Sequence, residues 1–158
     1  MKTTILMVGK TDNSHINTLI NDYSDRLKRY KIGFEIQIIP DIKNSKNISV
    51  SQQKTAEGRL ILNNINESDY VVLLDEHGKE QTSVEMAKWL EAKMNATYKR
   101  IVFVIGGPYG FSSELYGRKN DIISLSKLTF SHQMVRLIFI EQLYRSMTII
   151  HHEPYHHE

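Results

Sequence analysis

The sequence contains no cysteine. That absence excludes disulfides, thiolate nucleophiles and cysteine-ligated metals together, and it suits a reducing compartment such as the cytoplasm. A large charge surplus is also missing: 20 Lys and Arg stand against 18 Asp and Glu, a formal +2. So small an excess does not by itself argue for nucleic acid, and any polyanion would have to be met by local clusters. No apolar run approaches the roughly 18 residues that span a bilayer, so no membrane association is expected. The opening MKTTILMVGK has a lysine and a short apolar run, as a secretion signal would. Gly9, Lys10 and Asp12 interrupt it and no small-residue cleavage site follows, so it reads as a first core strand. No repeat, linker or low-complexity block is visible, and 158 residues suit one domain.

What is present is an alternation of strand-like and helix-like segments. Thr3 to Val8 reads as a strand. Ser14 can cap a helix with apolar positions Ile16, Leu19, Ile20, Tyr23, Leu27 and Tyr30, ended by Gly33. Phe34 to Ile39 is a second strand stopped by Pro40, and Asp41 to Asn47 is a polar loop. Ser49 or Ser51 opens a helix through Ala56, Leu60, Leu62 and Ile65. Tyr70 to Leu74 is a continuous apolar run, as in a strand buried on both faces, with a turn over Asp75 to Glu80. Ser83 caps a helix carrying Val84, Ala87, Leu90 and Met94, and Ile101 to Ile105 is a fourth strand. A short helix from Ser113 to Asn120, a strand from Ile122 to Leu125 and a long helix from Gln133 to Ile149 complete the order. Strands separated by helices imply an α/β fold, a parallel sheet covered on both faces. The last helix is apolar nearly all round, which predicts burial, with a second subunit of a homodimer as its cover.

Three segments invite chemistry. The first is the turn Gly106-Gly107-Pro108-Tyr109-Gly110 after the fourth strand. It lacks the lysine of a phosphate-binding P-loop and the spacing of a dinucleotide fingerprint, and Pro108 removes an amide that an anion would want. A glycine such as Gly106 lets a flat ligand approach the backbone, although a purely structural turn fits equally well. The second is Leu125 to Arg136, an irregular loop running into a helix, with His132 and Arg136 four apart and so on one face. They could steady a phosphate or a base, or be an ordinary surface pair. The third is the tail His151-His152-Glu153-Pro154-Tyr155-His156-His157-Glu158. Adjacent histidines do not converge on one ion without a scaffold, so no metal is expected; a tail that docks over a site fits better.

Taken together, VIGGPYG, then LSKLTFSHQMVR leading into IEQLYR, then a terminal PYHHE resemble the ribosomal large-subunit methyltransferase H family, in the SPOUT class of RNA methyltransferases. The resemblance spans 1–158 as one SPOUT methyltransferase domain. It implies an α/β sheet with a C-terminal trefoil knot, a homodimer, and S-adenosylmethionine as methyl donor held in the knot. The implied substrate is 23S rRNA, at N3 of a pseudouridine in the helix 69 loop, on assembled ribosomes. By motif, Leu74, Gly106, Leu125, Ser126, Lys127, Leu128, Thr129 and Phe130 would line the donor site. His156, Tyr155, Arg136 and His132 would bind substrate or assist catalysis. The tail departs from the family at His157, where some members carry a basic residue. A related enzyme acting on tRNA or another rRNA site, and a non-catalytic RNA- or nucleotide-binding module, are the alternatives. Clusters for RNA would be Arg26, Lys28, Arg29 and Lys31, and Arg118 with Lys119, although the first equally complements a helix C-terminus.

Overall fold

A computed structural model describes residues 1–43 and 45–157, the side chain of Ser45 aside. Asn44 of the expected loop and Glu158 of the tail lie outside the described residues. In chain order the elements are β1 (Lys2–Val8), α1 (Ser14–Lys28), β2 (Phe34–Ile39), α2 (Val50–Leu62), β3 (Tyr70–Glu80), α3 (Ser83–Met94), β4 (Arg100–Ile105), α4 (Ser113–Arg118), β5 (Asp121–Ser124) and α5 (His132–Ile150), with a short 3-10 turn at Ser45–Asn47. All strand pairs are parallel, in the order β2-β1-β4-β3-β5.

Alternation along each strand decides which face a side chain joins. Ile5 and Met7 of β1, with Ile101, Phe103 and Ile105 of β4, pack against Leu27 of α1, Leu90 of α3 and Phe139 and Leu143 of α5. Leu6 and Val8, with Val102 and Val104, pack against Ile61 of α2 and Leu115 of α4. Both faces are therefore covered, as the unbroken apolar runs require. Helix α5 lies against both α1 and α3, and its Phe139, Ile140, Leu143 and Met147 are fully buried. Much of the apolar surface that suggested a second subunit is thus covered within the chain. Met134 stays exposed.

Two of the helix caps fall one residue before the expected one, because the cap precedes the first helical residue. Asn13, not Ser14, caps α1, its Oδ1 accepting from the amides of His15 and Ile16 at 3.0 and 3.1 Å. Ser49 caps α2 in a capping box with Gln52, and Thr82, not Ser83, caps α3 with Glu85.

The larger correction concerns Asp75 to Glu80, expected as a turn. Here β3 continues to Glu80, and Leu74 and Lys79 both face Ile123 of β5. The intervening Asp75 to Gly78 are extruded as a bulge, the device that re-aims side chains beside sites. Gly78 lets the bulge press on β5: a Cβ there would stand 2.7 Å from Ile122 Cγ2 and the Ile123 carbonyl carbon. The amino ends of β3 and β4 are tied by Arg100, which donates through Nε to Asp69 Oδ1 at 3.0 Å and through Nη2 to Asp69 Oδ2 and the Asn64 carbonyl.

Candidate functional site

A cavity of about 670 Å³ opens beyond the carboxyl ends of β3, β4 and β5, where open α/β sheets place ligands. Its walls are Leu74 and the extruded Asp75 to His77, the glycine turn from Ile105 to Phe111, and the loop after β5. Lys54 of α2 and the first turn of α5 close it. Of the residues expected around a donor, Leu74, Gly106, Leu125, Ser126, Leu128, Thr129 and Phe130 line it, and His132 joins them. Lys127, although in the same loop, is not among the lining residues.

The glycine turn keeps its shape through close contacts. A Cβ on Gly106 would stand 2.7 Å from the ring of buried Phe111, and Gly110 adopts φ +80, a conformation glycine takes without strain. After β5 the chain bonds to itself: Ser124 Oγ donates to the Ser126 carbonyl at 3.1 Å and Ser126 Oγ accepts the Leu128 amide at 3.0 Å. Such a loop has turn chemistry and no period, as its sequence suggested. Ser131 then caps α5, accepting the Met134 amide at 3.2 Å.

His132 and Arg136 do not act as a pair. His132 is exposed at the cavity rim, whereas Arg136 is buried. Arg136 donates to the Val8 carbonyl at 2.5 Å and to Thr11 Oγ1 at 3.0 Å, and burial pushes its guanidinium below the ordinary range. Its donors tie the start of α5, whose His132 and Val135 line the cavity, to the end of β1 and the residues after it.

A cluster that sequence reasoning missed stands in the cavity. Asp75 accepts the Tyr116 hydroxyl on Oδ2, and its Oδ1 meets the His77 amide at 2.8 Å and His77 Nδ1 at 2.7 Å. Burial alone would raise the Asp75 carboxyl, but these hydrogen bonds outweigh it and hold it below the usual range. Burial and the bond to Asp75 push the Tyr116 phenol up to about 12. The result is a fixed anion in the wall. No local signal announces it, since Tyr116 lies 41 residues from Asp75.

The tail lies elsewhere. Tyr155 hydroxyl donates to Glu141 Oε1 at 3.0 Å and meets the Tyr23 hydroxyl at 3.2 Å, with its ring edge-on to Tyr144. Burial and these partners raise its phenol. Arg145 lies over the Tyr155 ring at 4.7 Å, bonds Glu141 and stands 3.4 Å from His156 Nδ1. Tyr30 donates to Glu153 at 2.9 Å. Tyr155 and His156 are thus folded on α1 and α5, outside the cavity lining. Of the basic groups, Arg26 pairs with Asp22 and Lys28 with Asp25. Arg118 donates to the carbonyls of Asn66, Glu67 and Asp69, a structural role. Arg29 and Lys31 line a second cavity, about 560 Å³, with Tyr30, Tyr144 and His151. Among the described residues no helix is long and apolar enough to cross a membrane, and no three His, Cys, Asp or Glu gather as a metal set.

Comparison with known proteins places this geometry. A family model described as "Predicted SPOUT methyltransferase" matches residues 1–156. The chain is 58% identical to the Ribosomal RNA large subunit methyltransferase H of Phocaeicola vulgatus and 57% identical to that of Bacteroides thetaiotaomicron, in each case over 100% of both chains. The protein of the same name from Flavobacterium johnsoniae is 55% identical over the same span. With a parallel sheet covered on both faces and a cavity walled by its glycine turn, the chain belongs to the ribosomal large-subunit methyltransferase H family of SPOUT methyltransferases.

Proposed function

We propose that this protein methylates N3 of a pseudouridine in the helix 69 loop of 23S rRNA, on assembled ribosomes in the cytoplasm, with S-adenosylmethionine as donor. The observation that carries this reading is the cavity. Seven of the eight residues that the motifs assigned to a donor site line one space of about 670 Å³, a size suited to a nucleoside-sized ligand. The residues also fit the donor's chemistry. Gly106 lines the cavity with bare backbone, Phe111 already filling the place a Cβ would take, backbone groups of the loop after β5 suit an adenine and a ribose, and fixed Asp75 suits a cation.

When bound, S-adenosylmethionine supplies a methyl group already activated by the positive sulfur. The chain's task is to orient the acceptor nitrogen in line with that methyl, exclude water and let N3 lose its proton. In this reading Leu74, Leu125, Leu128, Thr129, Phe130 and the glycine turn hold and desolvate the donor, with Ser126 and Lys127 completing the loop. His132 at the rim, with Tyr155 and His156, binds or orients the base, and Arg136 keeps the start of α5 in register with β1.

Because Tyr155 and His156 pack on α1 and α5 of their own chain, we assign their catalytic role to a homodimer in which one copy's tail meets the other's cavity. Exposed Met134, beside half-buried Leu137 and Ile138 on α5, supports such a contact. The return of α5 from the edge strand β5 to the Val8 carbonyl at the end of β1 supports a single domain over 1–158 with a C-terminal trefoil knot. Incubating the purified protein and labelled donor with whole ribosomes and with free subunits, then identifying the product nucleoside, tests the reading. N3-methylpseudouridine from whole ribosomes is expected; a different methylated nucleoside, or methylation of tRNA alone, would overturn it.

A further inference from the structure

A buried acid that takes no part in the proposed chemistry stands directly behind the glycine turn. Glu57 of α2 is 7% exposed, and its Oε1 accepts the Gly107 amide at 3.0 Å across 50 residues of sequence. Its other oxygen is close enough that a Cβ on Gly107 would stand 2.9 Å from it. The next residue, Gly58, presses on the far end of the same segment: a Cβ there would lie 2.2 Å from Ser112 Oγ. One turn earlier on α2, Lys54 lines the cavity. Adjacent residues of one rigid helix therefore seat both ends of the 107–112 turn, and that helix borders the cavity.

The choice of a carboxylate here is costly for folding alone. Burial raises the Glu57 carboxyl, and nearby Asp41 raises it further, against the single opposing bond from Gly107. A buried charge with so little compensation adds little to stability, and an apolar residue of similar size would serve the core as well or better. What an apolar residue cannot do is fix a backbone amide. Gly107 follows flexible Gly106, and without Glu57 its half-buried amide would lose the side-chain acceptor that fixes its direction. With Glu57 in place, that amide is given to a side chain that is not among the cavity's lining residues.

We infer that Glu57 is a positioning residue for the cavity: from α2 it holds the Gly107 amide, and so sets the glycine turn in the shape that admits the adenosyl end of the donor. The inference rests on the reading of the cavity as a donor site. It predicts a particular split in behaviour. Glu57→Gln keeps an acceptor in the same place and leaves donor affinity within about threefold of the unmodified protein. Glu57→Ala releases the turn and weakens donor binding about tenfold, the equivalent of one lost hydrogen bond to a charged group, while turnover at saturating donor is kept.

The test is calorimetric titration of S-adenosylmethionine into the full-length unmodified protein, Glu57→Gln and Glu57→Ala, with KM for donor and kcat on ribosomes measured in parallel. Melting curves establish that each variant is folded. Amide hydrogen exchange of the unmodified protein provides a second readout, independent of any variant that fails to fold, and slow exchange at Gly107 is expected. Donor affinity in folded Glu57→Ala equal to that of the unmodified protein would overturn the inference. So would a Glu57→Gln variant as impaired as Glu57→Ala, or fast exchange at Gly107. If the unmodified protein itself bound no donor, the functional reading would fail, whereas the exchange result would still report on the hold that Glu57 has on the turn.

Discussion

The cavity at the carboxyl ends of the strands and the C-terminal tail on α1 and α5 differ in how far each is satisfied by its own chain. The cavity is lined by apolar residues, the glycine turn and a set of polar side chains, and one acid among them, Asp75, is held by Tyr116 and His77. In the tail Tyr155 is shared by Tyr23 and Glu141, and Arg145 of α5 bonds Glu141 and lies over the Tyr155 ring. The first region is an open cavity built from one chain. In the second, Tyr155 and His156 are engaged by groups of their own chain. In the proposed reaction that division separates donor binding, complete in each copy, from acceptor handling, which needs a second copy and the ribosome.

The most damaging substitution for the cavity should be Gly106→Val. Its side chain would run into the ring of buried Phe111, and overpacking of this kind costs about 1–3 kcal/mol even where the core can adjust. Donor affinity measured by calorimetry should fall by about 100-fold or more, with the protein still folded and dimeric by light scattering. Normal affinity would show the site to be elsewhere. For the tail, His156→Ala should lower kcat on ribosomes by about tenfold to 100-fold, in the range of one lost proton-transfer or orienting group, and leave donor affinity intact. Mixing it with Gly106→Val sharpens the comparison, because heterodimers that pair one intact cavity with the other copy's intact tail should recover activity. Failure to recover would place the tail over its own chain's cavity.

A smaller effect is expected at Tyr116. Tyr116→Phe removes one bond from buried Asp75 and should lower stability by about 1–2 kcal/mol at neutral pH. The sign with pH is set by the depressed Asp75 carboxyl. Its contribution is complete above the unfolded value, about 3.9, and is lost as pH falls through the lower folded value. The gap between the unmodified protein and the Phe variant in denaturant melts should therefore narrow below pH ~4. Smallest of all, Arg29→Ala should reduce the salt dependence of rRNA binding by about one unit of slope without altering donor affinity; an unchanged slope would remove that basic edge from the RNA interface.

Much of this fold was legible because burial on both faces writes itself as apolar runs: Phe34 to Ile39 is the observed β2, and β1, β4 and β5 differ by one residue at one or both ends. The continuation of β3 was not legible, because Asp75-Glu76-His77-Gly78 is turn-forming locally and becomes a bulge only by pairing of Lys79 and Glu80 with β5. The apolar girth of α5 was read correctly as burial, yet its nearest cover is α1 and α3. The residues proposed for the donor were reached through motif resemblance, with no pattern in period or charge to give them. Arg136 looked like a partner of His132 by spacing, and only tertiary structure turns it to Val8 and Thr11. Glu57 and Tyr116 act across 50 and 41 residues, distances at which a single sequence carries no trace of contact.

The contrast between the two regions is tested most directly by amide hydrogen exchange of the whole protein with and without S-adenosylmethionine. If the account is right, the donor slows exchange in the glycine turn, 105–111, and in the loop after β5, 124–131, while the tail from 151 to 157 is unchanged. Slowing confined to the tail, with neither loop affected, would contradict it.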